Sequence, residues 1–444
     1  MKKISLLLLT ILSFGSFRLS AQVVYSLQQL KDAAGKNSHQ LAIKEYQVQE
    51  KISKLKEDEI KKYPAATLDG TYQYNFKLPD ITVPAGALGS VKTGNGDTQL
   101  LPAQSSNFAV GQKGSYNVGL NLYQPLSQQF KINTGLEIDK TDIKLIQKEK
   151  EKTVLQLGLE IEQLYYGTLI TQKQSEAEAA RLELAKARLK DAEGALAAGK
   201  TTGVNLAGLR ADIAGEEQSL LKLDIQVQDY LGELSRITEL DLTGAKLMEA
   251  EPDNSVPEPV EAYKSSSFGN PDMEIGRLNK EKALLGIKAA RQSNIPDIGI
   301  ITGYYVQQGS PVLPPSSPYV GISLKWNLQD LFSNKQVQNQ RVFQLKQAEE
   351  SLIYTKRQID SDIDKTWRKI KQSGALILAA KKLVAYRRDA LKEQQDRQIA
   401  GLDIKTAMLE TKLRLSEAEV NLYSAQLSNV IAIAELRNLA GQIK

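Results

Sequence analysis

Few residues in this chain of 444 could carry out covalent or redox chemistry. It contains no Cys, which excludes thiol nucleophiles, disulfides, thiolate metal sites and an N-terminal lipid anchor on Cys. His39 is the single histidine, so imidazole-based metal binding or acyl transfer has little to work with. No GxSxG, HExxH or Gly-rich phosphate loop occurs, and carboxylates without a pocket prove nothing. The residues therefore point to a protein that is not an enzyme and needs no cofactor. Its side chains would act through charge, packing and the surfaces that long elements present. His39 itself reads as an ordinary polar residue of the first helix.

A formal charge of +5 invites a nucleic-acid reading. Residues 1–21 remove it. They open Met1-Lys2-Lys3, run through the apolar stretch 4–12 and reach Ser20-Ala21 before Gln22, the pattern of a secretory signal peptide. Cleavage after Ala21 would leave 54 basic against 52 acidic residues, a charge of +2. The apolar run is too short to span a bilayer, and a mean hydropathy of −0.33 excludes a polytopic helical membrane protein.

Proline placement sets the elements. All 14 prolines lie within 64–125 and 252–318, and the two proline-free stretches, 126–251 and 319–444, are each 126 residues long. Proline breaks helix interiors, so long exclusion predicts long helices, and equal lengths predict a duplication. At an offset of 202, Val118-Gly119 matches Val320-Gly321, Leu122 matches Leu324, Phe130 matches Phe332 and Gly199 matches Gly401. Asn37 and Asn270 pair at an offset near 232, so the first half carries roughly thirty extra residues ahead of its second strand.

Heptad spacing marks the helices, as in Glu216, Leu220, Leu223, Val227, Tyr230, Leu234 and Ile237 and in Ala418, Leu422, Ala425, Asn429, Ala432, Leu436 and Leu439. The series Leu376, Ala379, Leu383, Tyr386, Ala390 adds a further seam. After the leader 1–21, the first repeat (22–240) is expected to hold helices at about 26–62, 130–198 and 203–238. Its strands are expected at 66–76 and 115–124, joined by a long loop, 77–114. A linker, 241–262, leads to the second repeat (263–444), with helices at about 264–294, 333–399 and 404–440 and strands at 297–306 and 318–327.

The strands alternate. Leu68, Tyr72 and Tyr74 oppose Asp69, Thr71 and Gln73; Leu120 and Leu122 oppose Gly119 and Asn121. Ile298 and Ile300 oppose Gly299 and Ile301, and Leu324 and Trp326 oppose Ser323 and Lys325. Strands of about ten residues, polar on one face and aromatic near their ends, fit a transmembrane barrel. Tyr72, Tyr74, Leu120, Leu122, Ile298, Ile300, Leu324 and Trp326 are the expected membrane-facing residues, with Trp326 in the interfacial belt and Trp367 a packing residue. Four strands cannot close a barrel, because an open edge in lipid leaves backbone groups unpaired. Two copies would give eight strands and three would give twelve, and a conducting pore favours three. The Gly- and Pro-rich loops lie on one side, so the helices extend into the periplasm.

With that order in hand, the chain resembles the TolC family of outer-membrane efflux proteins over roughly 24–441. The likeness rests on the duplicated helix-strand-strand-helix-helix order, on the turn segments 198–206 and 400–410, and on the helix start Asn270-Pro271-Asp272-Met273-Glu274. It implies a mainly α fold with a membrane β-barrel: a homotrimer whose 12-stranded β-barrel continues into a long periplasmic α-helical barrel. It implies an exit duct in the outer membrane of a Gram-negative bacterium, docking to a periplasmic membrane-fusion adaptor and an inner-membrane pump of RND or ABC type. Outer-membrane lipid would surround it, with no nucleic acid and no metal involved. The family's docking turns map onto Gly199, Lys200, Thr201 and Gly203 and onto Gly401, Leu402 and Asp403. Its acidic aperture positions fall on Ala407 and Glu410, so Glu410 keeps a carboxylate while Asp403 partly substitutes for the one lost. A coiled-coil periplasmic adaptor or scaffold is the alternative, although neither a lipoyl-like β domain nor an inner-membrane anchor is visible.

Overall fold

The structure is a computed structural model of the chain, and it describes residues 24–200, 202–249, 258–309, 313–400 and 405–442. The leader expected at 1–21 lies outside the described residues. The first half contains β1 (Val24–Tyr25), α1 (Leu27–Asn37), α2 (His39–Ile60), β2 (Ala65–Tyr74), β3 (Asp80–Val83), β4 (Ser90–Lys92), β5 (Thr98–Leu100), β6 (Ser106–Ala109), β7 (Gly114–Pro125), α3 (Gln129–Ala197) and α4 (Gly203–Thr238). Then follow β8 (Lys246–Leu247), α5 (Val260–Ser266), α6 (Pro271–Gln292), β9 (Asp297–Gln308), β10 (Ser316–Lys325), α7 (Leu328–Ile399) and α8 (Lys405–Leu439). The chain divides into two units. One comprises Met1–Glu45, Lys148–Glu274 and Tyr354–Lys444, the other Tyr46–Gln147 and Ile275–Ile353.

The first unit is helical. α3 and α7 run 69 and 72 residues without proline, as the exclusion zones require. Its core joins Leu30 of α1, Leu157 and Ile161 of α3, Leu234 and Ile237 of α4 and Leu427 of α8. Leu234 and Ile237 belong to the heptad row of α4, whereas Leu427 lies off the row marked on α8. A parallel pair of two-residue strands, β1 and β8, closes one side of this core, with Val24 opposite Lys246 and Tyr25 opposite Leu247. The Tyr165 hydroxyl donates to the Met248 carbonyl at 2.7 Å and ties α3 to that pair. Burial pushes its ionisation up to about 12. Trp367 donates from its indole to the Glu258 carbonyl at 3.1 Å, and the Lys371 ammonium sits 4.5 Å above its ring.

Two helices expected to be continuous are broken, at repeat-related places. The helix expected over 26–62 is α1 and α2, interrupted at the buried Ser38, whose backbone is extended in ψ and whose N–H donates to the Ala34 carbonyl. Asn37 donates to the Thr238 carbonyl at 3.2 Å, an anchor that holds the break. The helix expected over 264–294 is α5, a 3-10 turn at Ser267–Gly269, and α6. Asn270 caps α6 by accepting from the Asp272 N–H at 2.8 Å, and Pro271 takes the first helical position, where a missing N–H costs nothing. Asn270 also donates to the Leu439 carbonyl at 3.1 Å. In both halves, tertiary bonds to a helix end outweigh local continuity.

The second unit carries a four-stranded antiparallel sheet in the order β10-β9-β7-β2. The segment 77–114, expected as a plain loop, continues the β2–β7 hairpin through two shorter ladders, β3 with β6 and β4 with β5. Glycines at positive φ turn it, including Gly86 at 79° and Gly96 at 90°. On α7, Asn334 is buried and donates to the Ala290 carbonyl of α6 at 2.9 Å. Lys282–Asp142 at 2.6 Å and Lys288–Glu137 at 2.7 Å link α6 to α3. No described helix is long and apolar enough to cross a membrane.

Candidate functional site

The surfaces that could conduct and select are built by the sheet register. On one face, Leu68, Leu120 and Tyr304 lie in a row, followed by Leu122, Thr302 and Val320, then by Ile300 opposite Ile322 and Ile298 opposite Leu324. Tyr72 opposes Tyr116, and Tyr74 opposes Gly114. Trp326 follows the last residue of β10 and is half exposed. The register therefore gathers the apolar and aromatic strand residues singled out in the sequence onto one face.

The opposite face is polar. Thr67, Asn121, Gly303 and Tyr319 form one row, and Asp69, Gly119, Tyr305 and Ser317 the next. Asn121 donates from Nδ2 to the Asp69 carboxylate at 2.6 Å and accepts a short hydrogen bond from the Tyr319 hydroxyl. Tyrosine rings fill the space that glycines leave: Tyr123 lies over Gly299, and Tyr319 over Gly303. At the lower end Asp297 opposes Lys325 and also pairs with Lys131 at 2.6 Å. Both edge strands, β2 and β10, have an unpaired side.

The helix-end region of the first unit is the second surface. Gly199 takes φ 69°, Lys200 N–H returns to the Ala195 carbonyl at 2.8 Å, and Thr202 precedes Gly203, the first residue of α4. Thr201, Gly401, Leu402 and Asp403 lie outside the described residues. Glu410, on α8, accepts from Arg414 at 2.6 Å and stands 3.6 Å from Arg188 on α3. Thr406 bonds to Asp191, while Leu184 packs with Leu409 and Leu413. Arg181 bridges Glu417 at 2.5 Å and Glu178 at 3.0 Å. Glu178 is 8% exposed, and burial followed by a contact with Glu216 holds its carboxyl above the ordinary range.

The sequence reading missed this Arg181-centred cluster and the Asp69–Asn121–Tyr319 relay. A lone acid inside an alternating strand was the available signal for Asp69. Nothing in the spacing marked Arg181. His39 begins α2, 3.6 Å from Glu239, and no cluster of three or more His, Cys, Asp or Glu able to hold a metal occurs among the described residues.

One duplicated chain thus combines a sheet that is polar on one face and apolar on the other with long helices, none of the described ones apolar enough to cross a membrane, an architecture shared with outer-membrane channels. The chain matches the family "Outer membrane efflux protein" over residues 78–238 and 263–442 and belongs to it. It is an outer-membrane efflux channel, the exit component of a tripartite efflux system rather than an adaptor, with its helical part in the periplasm. Similar solved structures include a membrane protein from Pseudomonas aeruginosa (14% identity, TM-score 0.72, 95% of this chain and 92% of that one). The outer membrane protein VceC from Vibrio cholerae gives 14% identity and TM-score 0.69, covering 94% and 96%. The CmeC outer membrane channel of Campylobacter jejuni gives 15% and 0.68, covering 94% and 85%. At such identities the likeness speaks to the fold. No curated protein sequence matches significantly.

Proposed function

We infer that three copies of this chain assemble into a passive duct, with the four-stranded sheets closing a twelve-stranded barrel. The observation that carries this reading is the pair of open edges, β2 and β10, on a sheet whose one face is apolar. In lipid each unpaired backbone group costs several kcal/mol, and closure with neighbouring copies removes that cost. The helices give independent support. Along α7, Leu376 is 63% exposed and Tyr386 71%, on a heptad seam left open among the described residues. Neighbouring copies of the same helices would cover it.

In this assembly Tyr72, Tyr74, Leu120, Leu122, Ile298, Ile300, Leu324 and Trp326 face lipid. The turns at Gly199, Lys200, Thr201 and Gly203 and at Gly401, Leu402 and Asp403 meet a periplasmic adaptor that couples the duct to an inner-membrane pump. Glu410 and Asp403 stand at the periplasmic aperture, and Arg414 and Arg188 match much of the Glu410 charge. No covalent step is required of any residue. The decisive experiment is purification from outer membranes, chemical crosslinking and planar-bilayer recording. Crosslinked trimers with discrete conductance are expected. A soluble, non-conducting monomer or dimer would overturn the reading.

A further inference from the structure

The four sheet strands carry three charged side chains: Asp69, Asp297 and Lys325. Two of them cancel, because Asp297 and Lys325 are cross-strand partners at the helix-proximal end. Lys131 adds a second cation there. Asp69 sits in mid-strand with no ion pair among the described residues, exposed on the polar face. Its carboxylate is not free to swing. The Tyr319 hydroxyl fixes the Asn121 amide, and that amide holds one Asp69 oxygen at 2.6 Å. The relay spans three strands, β2, β7 and β10, and leaves the other Asp69 oxygen without a hydrogen bond among the described residues.

We propose that Asp69 is the residue that sets the ionic selectivity of the barrel, giving it a preference for cations. The proposal deepens the channel function and rests on the trimeric reading above. Three copies would place three carboxylates at one height on a lumen face whose other strand charges, Asp297 and Lys325, oppose one another at its end. A ring of like charge on a low-dielectric wall focuses field and concentrates counter-ions. By contrast Glu410, Glu417 and Glu178, the engaged carboxylates of the helix-end cluster, all have arginine partners. Asp69 has no cation beside it among the described residues, and a ring of such carboxylates would favour cationic cargo.

The test uses the full chain reconstituted in planar bilayers, with reversal potentials read in a KCl gradient. The natural absence of Cys makes Asp69→Cys the only thiol, open to charged methanethiosulfonates after insertion. Wild type is expected to prefer K⁺, and Asp69→Asn to move the permeability ratio toward one by roughly threefold or more. On Asp69→Cys channels a sulfonate reagent should restore the preference, and a trimethylammonium reagent should invert it. Asn121→Asp should strengthen it. A ratio unmoved by Asp69→Asn and by both reagents on conducting channels would overturn the proposal alone. Absence of trimers and conductance in the wild type would instead remove the channel reading, and the proposal with it.

Discussion

Tyr319 lies over Gly303, its hydroxyl 2.8 Å from where a Cβ on that glycine would stand. The same Cβ would approach the Leu120 carbonyl to 2.5 Å, and neither neighbour is the loose end of a flexible chain. Glycine is required here by space rather than by dihedral angle. The ring in turn delivers the hydroxyl that holds Asn121.

Gly303→Ala should therefore destabilise the sheet by about 1–3 kcal/mol, the usual cost of overpacking. Heat dissociation of crosslinkable oligomers would show it as a lower midpoint. An unchanged midpoint would mean the ring moves aside freely.

Arg181 neutralises two carboxylates, Glu178 on its own helix and Glu417 on α8. Arg181→Gln should loosen the α3–α8 contact more than Glu417→Gln does, since the latter leaves Arg181 paired with Glu178. Hydrogen exchange over residues 178–190 and 409–417 is the measurement, with faster exchange expected in Arg181→Gln. Equal protection in both variants would assign the contact to the Leu184, Leu409 and Leu413 packing alone.

The buried Glu178 carboxyl titrates above its ordinary value, so the folded state holds its proton more tightly than the unfolded chain does. Stability from this group is greatest below the unfolded value, near 4.5, and declines as pH rises to the folded value. Glu178→Gln cannot ionise and should lose that decline. Melts of the two proteins from pH 4 to 8 are expected to diverge, the variant gaining on the wild type as pH rises; parallel curves would contradict this.

Tyr165 holds the β1–β8 seam through a hydroxyl that stays protonated, with ionisation near 12. Tyr165→Phe keeps the ring and orphans the Met248 carbonyl, at a cost of about 1 kcal/mol. Denaturant melts should show the same deficit at pH 6 and pH 9. A deficit that varies over that range would place a titrating group at the seam.

Much of this fold was legible in residue order. The prolines end where the long helices begin, and the heptad rows bury Leu234 and Ile237 on α4 and Ala418, Ala432 and Leu436 on α8, whereas the buried Leu427 lies off its row. Alternation separated Leu120 and Leu122 from Asn121 before any register was known. The breaks at Ser38 and Asn270 were hidden, because long-range bonds to Thr238 and Leu439 decide them. Two-residue strands such as β1 and β8 have no periodicity to read. The Glu410 carboxylate and its neighbour Arg414 were visible, but its second arginine partner, Arg188, lies more than two hundred residues away in sequence.

By itself the sequence determined a duplicated chain of long helices and short alternating strands. Period and proline position are local properties, and local properties survive in a string of letters. Register, and with it the meeting of Asp69, Asn121 and Tyr319 from three strands, was decided only in the tertiary structure. A strand's pattern says which face a side chain takes, whereas its cross-strand neighbour depends on how the backbones align, and that alignment is a global choice.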